Sequence, residues 1–214
     1  MNPPCESRIA LILLAAGASR RMGSPKALLP WNDTTIVGHH HRTLSAISGH
    51  DPWIVIQPND TPLASELDRM GWPMGRRIVN PLAPQCDMFA SIRCGIKTVL
   101  DSSETYSHAA IALVDEPLIR PETFRKISQV SFERPKAIIQ PIHEGKRGHP
   151  VLIPIDLAGQ LLESKAYSFR DFLEEHTHER YGVPVEDAGI GIDMDTPETY
   201  HQLCTTTMKQ GDRT

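Results

Sequence analysis

The sequence predicts an α/β fold with a mostly parallel sheet. Apolar runs alternate with helix-like segments along the 214 residues, which is the pattern of strands joined by crossover helices. The first run, residues 9–14, is almost continuously apolar, as expected of a strand buried on both faces. No repeat, low-complexity tract or linker divides the chain. We therefore predict one domain with a sizeable core over residues 1–205 and a polar tail at 206–214.

Each predicted element follows from a local signal. Short apolar runs bounded by turn residues predict strands at 9–14, 53–57, 77–80, 109–114, 137–140, 150–153 and 183–186. Apolar residues at helical spacing, capping residues, and prolines suited to a first turn predict helices at 35–47, from 60–62, at 88–100, from Pro121, from 168–171 and from Pro197. The segment HEGKRG, residues 143–148, is predicted to be a turn between two strands.

The composition argues against several classes of protein. A net charge of −4 does not favour general binding to nucleic acid or to a membrane surface. No apolar run approaches the roughly 18 residues of a transmembrane span. The N-terminal sequence MNPPCESR does not resemble a signal peptide. The cysteines are scattered without a C-x-x-C pair, so neither zinc nor a disulfide framework is expected and the cytoplasm is the expected compartment. They are Cys5, Cys86, Cys94 and Cys204.

The segment LLAAGASRRMGSPKALLP, residues 13–30, carries the strongest functional signal. Small residues and glycine follow the first strand, so backbone amides can approach a ligand closely, and cationic side chains come next. Exposed N–H groups beside cations form a phosphate-binding loop, and a nucleoside triphosphate is the expected ligand. Lys26 is predicted to be a solvent-facing loop residue. The predicted nucleotide-binding residues of this loop are Ala15, Ala16, Gly17, Ser19, Arg20, Arg21, Gly23 and Lys26.

Spacing excludes two better-known glycine loops. A Walker A loop needs four residues between its glycines and a lysine directly after the second, whereas five residues separate Gly17 from Gly23, and Ser24 and Pro25 precede Lys26. The dinucleotide fingerprint needs a second glycine where this chain has Ser19. An ordinary strand-to-loop turn with solvated arginines is the alternative to a phosphate-binding loop.

Residues 14–30, LAAGASRRMGSPKALLP, resemble the signature loop of the MobA-like nucleotidyltransferases, which include the molybdenum cofactor cytidylyltransferases and guanylyltransferases. The resemblance implies a Rossmann-like three-layer sandwich with a mostly parallel mixed sheet. It also implies Mg²⁺-dependent transfer of NMP from an NTP, with CTP favoured, to a phosphorylated small-molecule acceptor, molybdopterin, with release of pyrophosphate. A molybdoenzyme is the implied protein partner. Arg21 would hold the β- and γ-phosphates and Lys26 the α-phosphate.

Two acidic motifs also match this family. Asp115 follows a strongly apolar strand, where ligands of open α/β sheets bind, and Asp115-Glu116-Pro117-Leu118 resembles the family's D-x-P-L motif, whose aspartate binds magnesium. Glu116 departs from the usual glutamine and would add charge near the metal. The segment DMDTPE, residues 193–198, resembles the motif that supplies the second carboxylate. The resemblance favours Asp193 as that ligand and places Asp195 at the start of the helix. Aspartates that only cap helices are the alternative for both motifs.

Two further segments have weaker matches. MFASIRCGI, residues 88–96, is similar to the family segment that lies against the nucleotide base, and Ser91 is its candidate contact. Cys86 and Asp87 stand where glycine is common, and a plain core helix is the alternative. Residues 148–151, GHPV, resemble the strand entry near the acceptor, which makes His149 an acceptor-binding candidate or a structural histidine.

Other interpretations remain open. Three consecutive histidines, residues 39–41, would point in different directions on a helix, so we expect a solvated helix start rather than a metal site. Within the enzyme class, the acceptor could instead be a sugar phosphate or a small-alcohol phosphate. A non-catalytic nucleotide-binding accessory protein is the alternative outside that class. The presence of Arg21 and Lys26 together with both acidic motifs favours an enzyme over a protein that only binds nucleotide.

Overall fold

The computed structural model describes the backbone of residues 8–211 and the side chains of residues 8–205. The predicted features of residues 1–7, including Cys5, lie outside this range. The strands are β1 (Ile9–Leu14), β2 (Pro30–Trp31), β3 (Thr34–Thr35), β4 (Trp53–Ile56), β5 (Arg77–Val79), β6 (His108–Leu113), β7 (Ile138–His143), β8 (Lys146–Arg147), β9 (Val151–Pro154) and β10 (Arg180–Pro184). The helices are α1 (Ile36–Ser48), α2 (Thr61–Arg69), α3 (Met88–Asp101), α4 (Pro121–Glu133), α5 (Ile155–Glu163), α6 (Phe169–Glu175) and α7 (Pro197–Gly211).

The main sheet is mixed and mostly parallel. Its order is β10-β7-β9-β6-β1-β4-β5, with β8 paired to β7 as a hairpin. β1 runs parallel to β4 and β6, and β10 runs parallel to β7, whereas β9 is antiparallel to both of its neighbours. A second, small sheet pairs β2 with β3. The prediction of an α/β fold with a mostly parallel mixed sheet is confirmed.

The central strand β1 divides its side chains between two hydrophobic cores. Ile9, Leu11 and Leu13 belong to one core, with buried residues of α1, α2 and α4. The alternate residues of β1 belong to the other core, with buried residues of α3, α5 and α6. Because successive strand residues point to opposite faces, a strand that is apolar at every position needs helices on both sides. The result is three layers, helix, sheet and helix.

Gly95 lets α3 approach the sheet closely. A Cβ atom at this position would lie 2.9 Å from a methyl carbon of Ile12 and 3.2 Å from one of Val55, both on the central strands. Any side chain would therefore push the helix outward. Asp87 begins α3 by accepting a hydrogen bond of 3.0 Å from the amide of Ala90. This cap and this contact fix the helix that carries Ser91.

The structure departs from the sequence-based prediction at several elements. Helix α5 was not predicted, because its nine residues include Gly159 and follow β9 without an intervening turn. The predicted turn at 143–148 is a hairpin whose two turn residues, Glu144 and Gly145, have φ of 48° and 79°. Strand β10 begins before the predicted start at 183, and α7 continues past 205 to Gly211. The division into a domain at 1–205 and a tail stays a prediction. Within the described residues, the helices lack the length and apolar character that crossing a membrane requires.

The carboxyl ends of β1 and β6 lie side by side and define the edge where the site forms. Leu14 pairs with Leu113, and the amide of Val114 donates to the carbonyl of Leu14 at 3.2 Å. The chain crosses from β1 to β4 on one side and reaches β6 on the other, so the strand order reverses here. A crevice opens at such a reversal in doubly wound folds, and ligands bind in it.

Candidate active site

The loop after β1 is held in shape by its own polar groups. The amide of Ala15 donates to the carbonyl of Val55 at 2.8 Å, which continues the sheet for one residue. Gly17 is exposed, and the space beside its Cα is open. Ser19 has a φ of 48°, and its hydroxyl oxygen accepts from the amide of Lys26 at 3.1 Å. Ser19 therefore closes the loop onto Lys26.

Lys26 joins the loop to both acidic motifs. Its Nζ donates to Asp115 Oδ2 at 2.8 Å and to Asp195 Oδ1 at 2.6 Å. Burial would lower the pKa of Lys26, but the hydrogen bonds to these two carboxylates outweigh burial and raise it above the ordinary value. The side chain is only 11% exposed, so the prediction of a solvent-facing lysine is wrong. The loop lysine has turned inward because two carboxylates meet there.

Asp195 faces the phosphate-binding loop and does not cap the following helix. Its Oδ2 accepts from Arg21 at 2.7 Å, while its other oxygen binds Lys26. The hydrogen bond from Lys26 is the main cause of the lowered pKa of Asp195. Thr196 caps α7 instead, since its hydroxyl oxygen accepts from the amide of Thr199 at 3.2 Å. The expectation that Asp195 belongs to the helix start is therefore corrected.

Asp193 is exposed and lies on the other side of Met194 from this contact. Met194 is fully buried, and its amide donates to the carbonyl of Asp115 at 2.9 Å. The structure therefore brings Asp115 and the 193–195 segment to the same sheet edge, as the motifs predict. Asp195 and Asp115 both bind the Lys26 ammonium, whereas Asp193 does not form an ion pair with it; all three aspartates line a neighbouring cavity.

Two cavities meet at Asp115. The first, of about 290 Å³, is bordered by the β1 loop, including Ala15, Ala16, Gly17 and Ser19, and by Lys26 and Ser91. The second, of about 650 Å³, is bordered by Asp115, Glu116, His149, Asp193 and Asp195 and extends towards β7, β8 and β10. A smaller recess of about 240 Å³ contains Arg20 and Arg21 beside Lys26 and Asp195. All the predicted nucleotide residues except Gly23 thus line the first cavity or this recess.

Two of the predicted nucleotide residues have structural roles that the sequence did not reveal. Gly23 lies outside the three cavities, and its φ of 68° shows that it shapes the loop. Ser91 is buried, and its hydroxyl oxygen accepts from Nδ2 of the buried Asn80 at 3.0 Å. Asn80 also accepts from the amide of Leu82 at 3.1 Å. Ser91 therefore supports the 81–87 loop as well as lining the cavity.

Glu116 is buried beside His149 at the wall of the second cavity. Glu116 is 3% exposed, and its Oε1 lies 3.2 Å from His149 Nδ1. Burial raises the pKa of Glu116 to about 7; the His149 contact opposes this shift, and the nearby Asp193 and Asp115 add to it. At this pKa the Glu116 carboxyl is only partly ionised near neutral pH, and the expectation that it adds charge near a metal stays a prediction. Within the described residues, Glu116 Oε2 and His149 Nε2 are buried without a hydrogen-bond partner.

The three histidines do not form the solvated helix start that the sequence suggested. His39 Nε2 donates to the carbonyl of Pro117 at 2.9 Å, and His40 Nε2 donates to that of Val114 at 3.1 Å. These bonds flank Asp115 and attach α1 to its loop. Burial lowers the pKa of His40 to about 3, so it stays neutral. The sequence held one signal that His40 is buried. His40 comes four residues after the buried Ile36, and residues four apart share a helix face.

The chemistry of the converging groups suits a divalent cation. Carboxylate oxygens are ligands that Mg²⁺ prefers. Asp115 and Asp195 already bind one positive charge together, the ammonium group of Lys26. Across the described side chains, no group of three or more His, Cys, Asp or Glu is arranged to hold a metal by itself. A metal here would therefore need oxygen ligands from a bound molecule, as Mg²⁺ commonly takes from phosphates.

Comparison with known proteins assigns the family. Residues 11–180 match the family described as MobA-like NTP transferase domain. The chain belongs to this family. The sequence-based resemblance and the prediction of a nucleotidyltransferase enzyme are therefore confirmed.

Relatives of this MobA-like transferase match it along most of its length. The molybdenum cofactor cytidylyltransferase of Escherichia coli (strain K12) is 26% identical over 203 residues, which cover 91% of this chain and 94% of the relative. The nicotine blue oxidoreductase of Paenarthrobacter nicotinovorans is 26% identical, covering 94% of this chain and 97% of the relative. The solved structure of a nucleotidyl transferase from Methanothermobacter superposes with a TM-score of 0.73 at 16% identity, covering 95% and 99% of the two chains. That likeness shows the shared fold.

Proposed function

We propose that this chain transfers NMP from an NTP, with CTP favoured, to the phosphate of a small acceptor, with molybdopterin favoured, and releases pyrophosphate in a Mg²⁺-dependent reaction. The observation that carries the proposal is the position of Lys26. It connects the β1 loop to Asp115 and Asp195 at the point where two cavities meet. A donor and an acceptor bound in these cavities would react beside that lysine.

Catalysis in this proposal consists of positioning and charge neutralisation. The acceptor phosphate oxygen attacks the α-phosphorus, the bond to the β-phosphate oxygen breaks, and pyrophosphate leaves with the electron pair. The attacking phosphate is already anionic, so no strong base is needed. Arg21 is 70% exposed and can turn from Asp195 to the β- and γ-phosphates. Lys26 can move from the carboxylates to the α-phosphate, where negative charge develops.

Asp115 and Asp195 would hold the metal once Lys26 moves to the nucleotide, and Asp193 is the other carboxylate within the same motif. When bound, Mg²⁺ would neutralise triphosphate charge and polarise the reacting phosphorus. Hydrogen bonds to the carbonyls on either side of Asp115, from His39 and His40, keep its loop in place. His149 lines the acceptor cavity and is the proposed contact of the acceptor phosphate.

The choice of CTP and molybdopterin rests on similarity. The E. coli relative with 26% identity is a molybdenum cofactor cytidylyltransferase, and its match spans nearly the whole of both chains. A molybdoenzyme that receives the product, and a cytoplasmic location, belong to the same proposal. A sugar phosphate or small-alcohol phosphate would use the same lysine and carboxylates, and so would remain compatible with the site.

The test is a matrix of substrates. The protein is incubated with each of the four ribonucleoside triphosphates, Mg²⁺, and either molybdopterin, a sugar phosphate or an alcohol phosphate, and pyrophosphate release is measured. We expect release only with an acceptor present, fastest with CTP and molybdopterin. The Asp115→Asn variant controls for contaminating activity. Nucleotide binding without pyrophosphate release in every combination would instead support the non-catalytic accessory role.

A further inference from the structure

The second cavity is lined by arginines as well as by the acidic residues around Asp115. Three arginines, Arg147, Arg170 and Arg180, line it together with Gln140. Gln140 lies on β7, while Arg147 and Arg180 lie on the two strands that pair with β7. The sequence did not single out these residues, because they come together only through strand pairing. Arg147 and Arg180 are therefore residues of the sheet itself.

Arg180 is held in a fixed orientation with part of its donor capacity unused. Its Nε and Nη2 both donate to Gln140 Oε1, at 3.1 and 2.8 Å. A guanidinium has five N–H donors in a planar fork, so three remain for other acceptors. Gln140 is buried, which fixes the acceptor oxygen and with it the plane of Arg180. A guanidinium fixed in this way is suited to a planar or tetrahedral oxyanion.

Glu174 lines the same cavity, but the charges of the three arginines are not neutralised by direct ion pairs. In the described part of the chain, none of the three arginines forms an ion pair with a carboxylate. The pKa of Arg180 is lowered by burial and further by the charge of Arg147, while Glu174 opposes the shift. Two neighbouring guanidiniums repel each other, and an anion between them would relieve that repulsion.

The same cavity also offers polar atoms that lack partners. Glu116 Oε2 and His149 Nε2 are buried and unpartnered there, beside Asp115. The cavity thus combines polar atoms at the proposed reaction centre with the guanidiniums of Arg147 and Arg180. A ligand that contacts both sets of residues needs a group suited to the polar atoms and an anionic group for the arginines.

We propose that the cavity takes an acceptor with two anionic groups. The reacting phosphate lies near His149 and Asp115, and a second oxyanion, a carboxylate or a phosphate, binds Arg147 and Arg180. Gln140 acts as a positioning residue for Arg180. The identity of the reacting end rests on the proposed function, whereas the oxyanion subsite rests on the arginine geometry alone.

The experiment is a titration of the protein with inorganic phosphate and, separately, with acetate, followed residue by residue by amide NMR. We expect saturable shifts at residues 140, 147–149 and 180. Arg147→Gln and Arg180→Gln should each weaken this binding by about tenfold, the size of one charged hydrogen-bonding contact. Arg147 is exposed, so its variant should fold even if the Arg180 variant does not. Arg125→Gln, an exposed arginine on α4, is the matched control and should bind as the wild type does.

Each outcome separates this inference from the proposed function. Tighter phosphate than acetate binding, or the reverse, supports the subsite and assigns its chemical class. No saturable shift at these residues, or binding that both arginine variants retain in full, overturns it. The titration requires no catalysis, so an enzyme that fails to release pyrophosphate would count against the proposed function alone.

Discussion

The amide of Met194 donates a hydrogen bond of 2.9 Å to the carbonyl oxygen of Asp115. This one backbone contact joins two motifs that lie 79 positions apart in the sequence. Asp195 follows Met194, so the contact delivers its carboxylate to the same ammonium that binds Asp115. The buried side chain of Met194 anchors the segment in the core. The active-site geometry proposed here therefore depends on a main-chain hydrogen bond as much as on charge.

Replacing Lys26 tests its double role as a partner of carboxylates and of phosphate. We expect Lys26→Ala to lower the transfer rate by at least about tenfold, because cationic contacts to a reacting group contribute strongly to rate. It should also lower the melting temperature in metal-free buffer, since two carboxylates would then face each other without a cation. Added Mg²⁺ should restore more of that temperature in the variant than in the wild type.

Lys97→Ala is the matched control for Lys26, because Lys97 is an exposed lysine paired with Asp101 on one helix. It should change neither turnover nor the response of the melting temperature to Mg²⁺. Unchanged turnover of Lys26→Ala would remove this lysine from the mechanism.

Asparagine substitutions can assign the metal ligands. We expect Asp115→Asn and Asp195→Asn to weaken Mg²⁺-dependent triphosphate binding, because both carboxylates converge on the cation position. Asp115→Asn should barely change the thermal stability without ligand, since an amide oxygen can still accept from Lys26. Asp193→Asn should instead raise the KM for the acceptor, because Asp193 lines the second cavity.

Triphosphate affinity with and without Mg²⁺ is the measurement, and Asp101→Asn on the surface of α3 is the control. If Asp193→Asn abolished the metal dependence and Asp195→Asn preserved it, Asp193 would be the second metal ligand, as the family resemblance implies. The assignment of Asp195 to that role would then fail.

The preference for CTP over GTP can be measured by equilibrium binding in the presence of Mg²⁺. We expect tighter binding of CTP, on the basis of family similarity over residues 88–96. Ser91→Ala should weaken CTP binding severalfold, because Asn80 would lose its contact with Ser91 while it also holds Leu82. Thr98→Ala, farther along the same helix, should leave CTP affinity unchanged. Tighter binding of GTP would reverse the assignment of the base.

The buried His40 predicts a specific loss of stability in acid. Its pKa is about 3 in the folded protein and 6.5 ordinarily, so protons bind to the unfolded chain first as the pH falls. The stabilisation is therefore complete above pH 6.5 and is lost progressively towards pH 3. Linkage gives a loss of about 2 kcal/mol in the free energy of unfolding at pH 5 from this residue. Burial also lowers the pKa of His39, which adds a loss in the same direction.

Urea unfolding at pH 7.5 and pH 5 measures this loss. His40→Gln keeps a donor for Val114 and should remove this part of the pH dependence, whereas the exposed His178→Gln should retain it. Imidazole NMR provides an independent check that does not need a stable variant. Protonation of His40 near pH 6.5 in the folded protein would contradict the prediction.

The sequence by itself determined the elements whose signals are local. Periodicity and turn chemistry predict the apolar strand β1, the small residues that follow it, and the strand that ends before Asp115. The structure contains each of them. Helix α5 and the β8 hairpin were missed because their segments are short and have weak flanking signals. Local sequence patterns predict the backbone conformation of a segment and which of its faces is buried, but they do not predict which side chains from distant segments meet.

The tertiary structure alone decided which side chains meet. Lys26 lies inside the site because the pairing of β1 with β6 places Asp115 beside the β1 loop, and the Met194–Asp115 hydrogen bond brings Asp195 to the same amine. No local pattern encodes these distances. The same applies to His40 on the carbonyl of Val114 and to Arg180 on Gln140. A side chain's burial and pKa depend on neighbours from distant segments, and the order of strands in the sheet determines those neighbours.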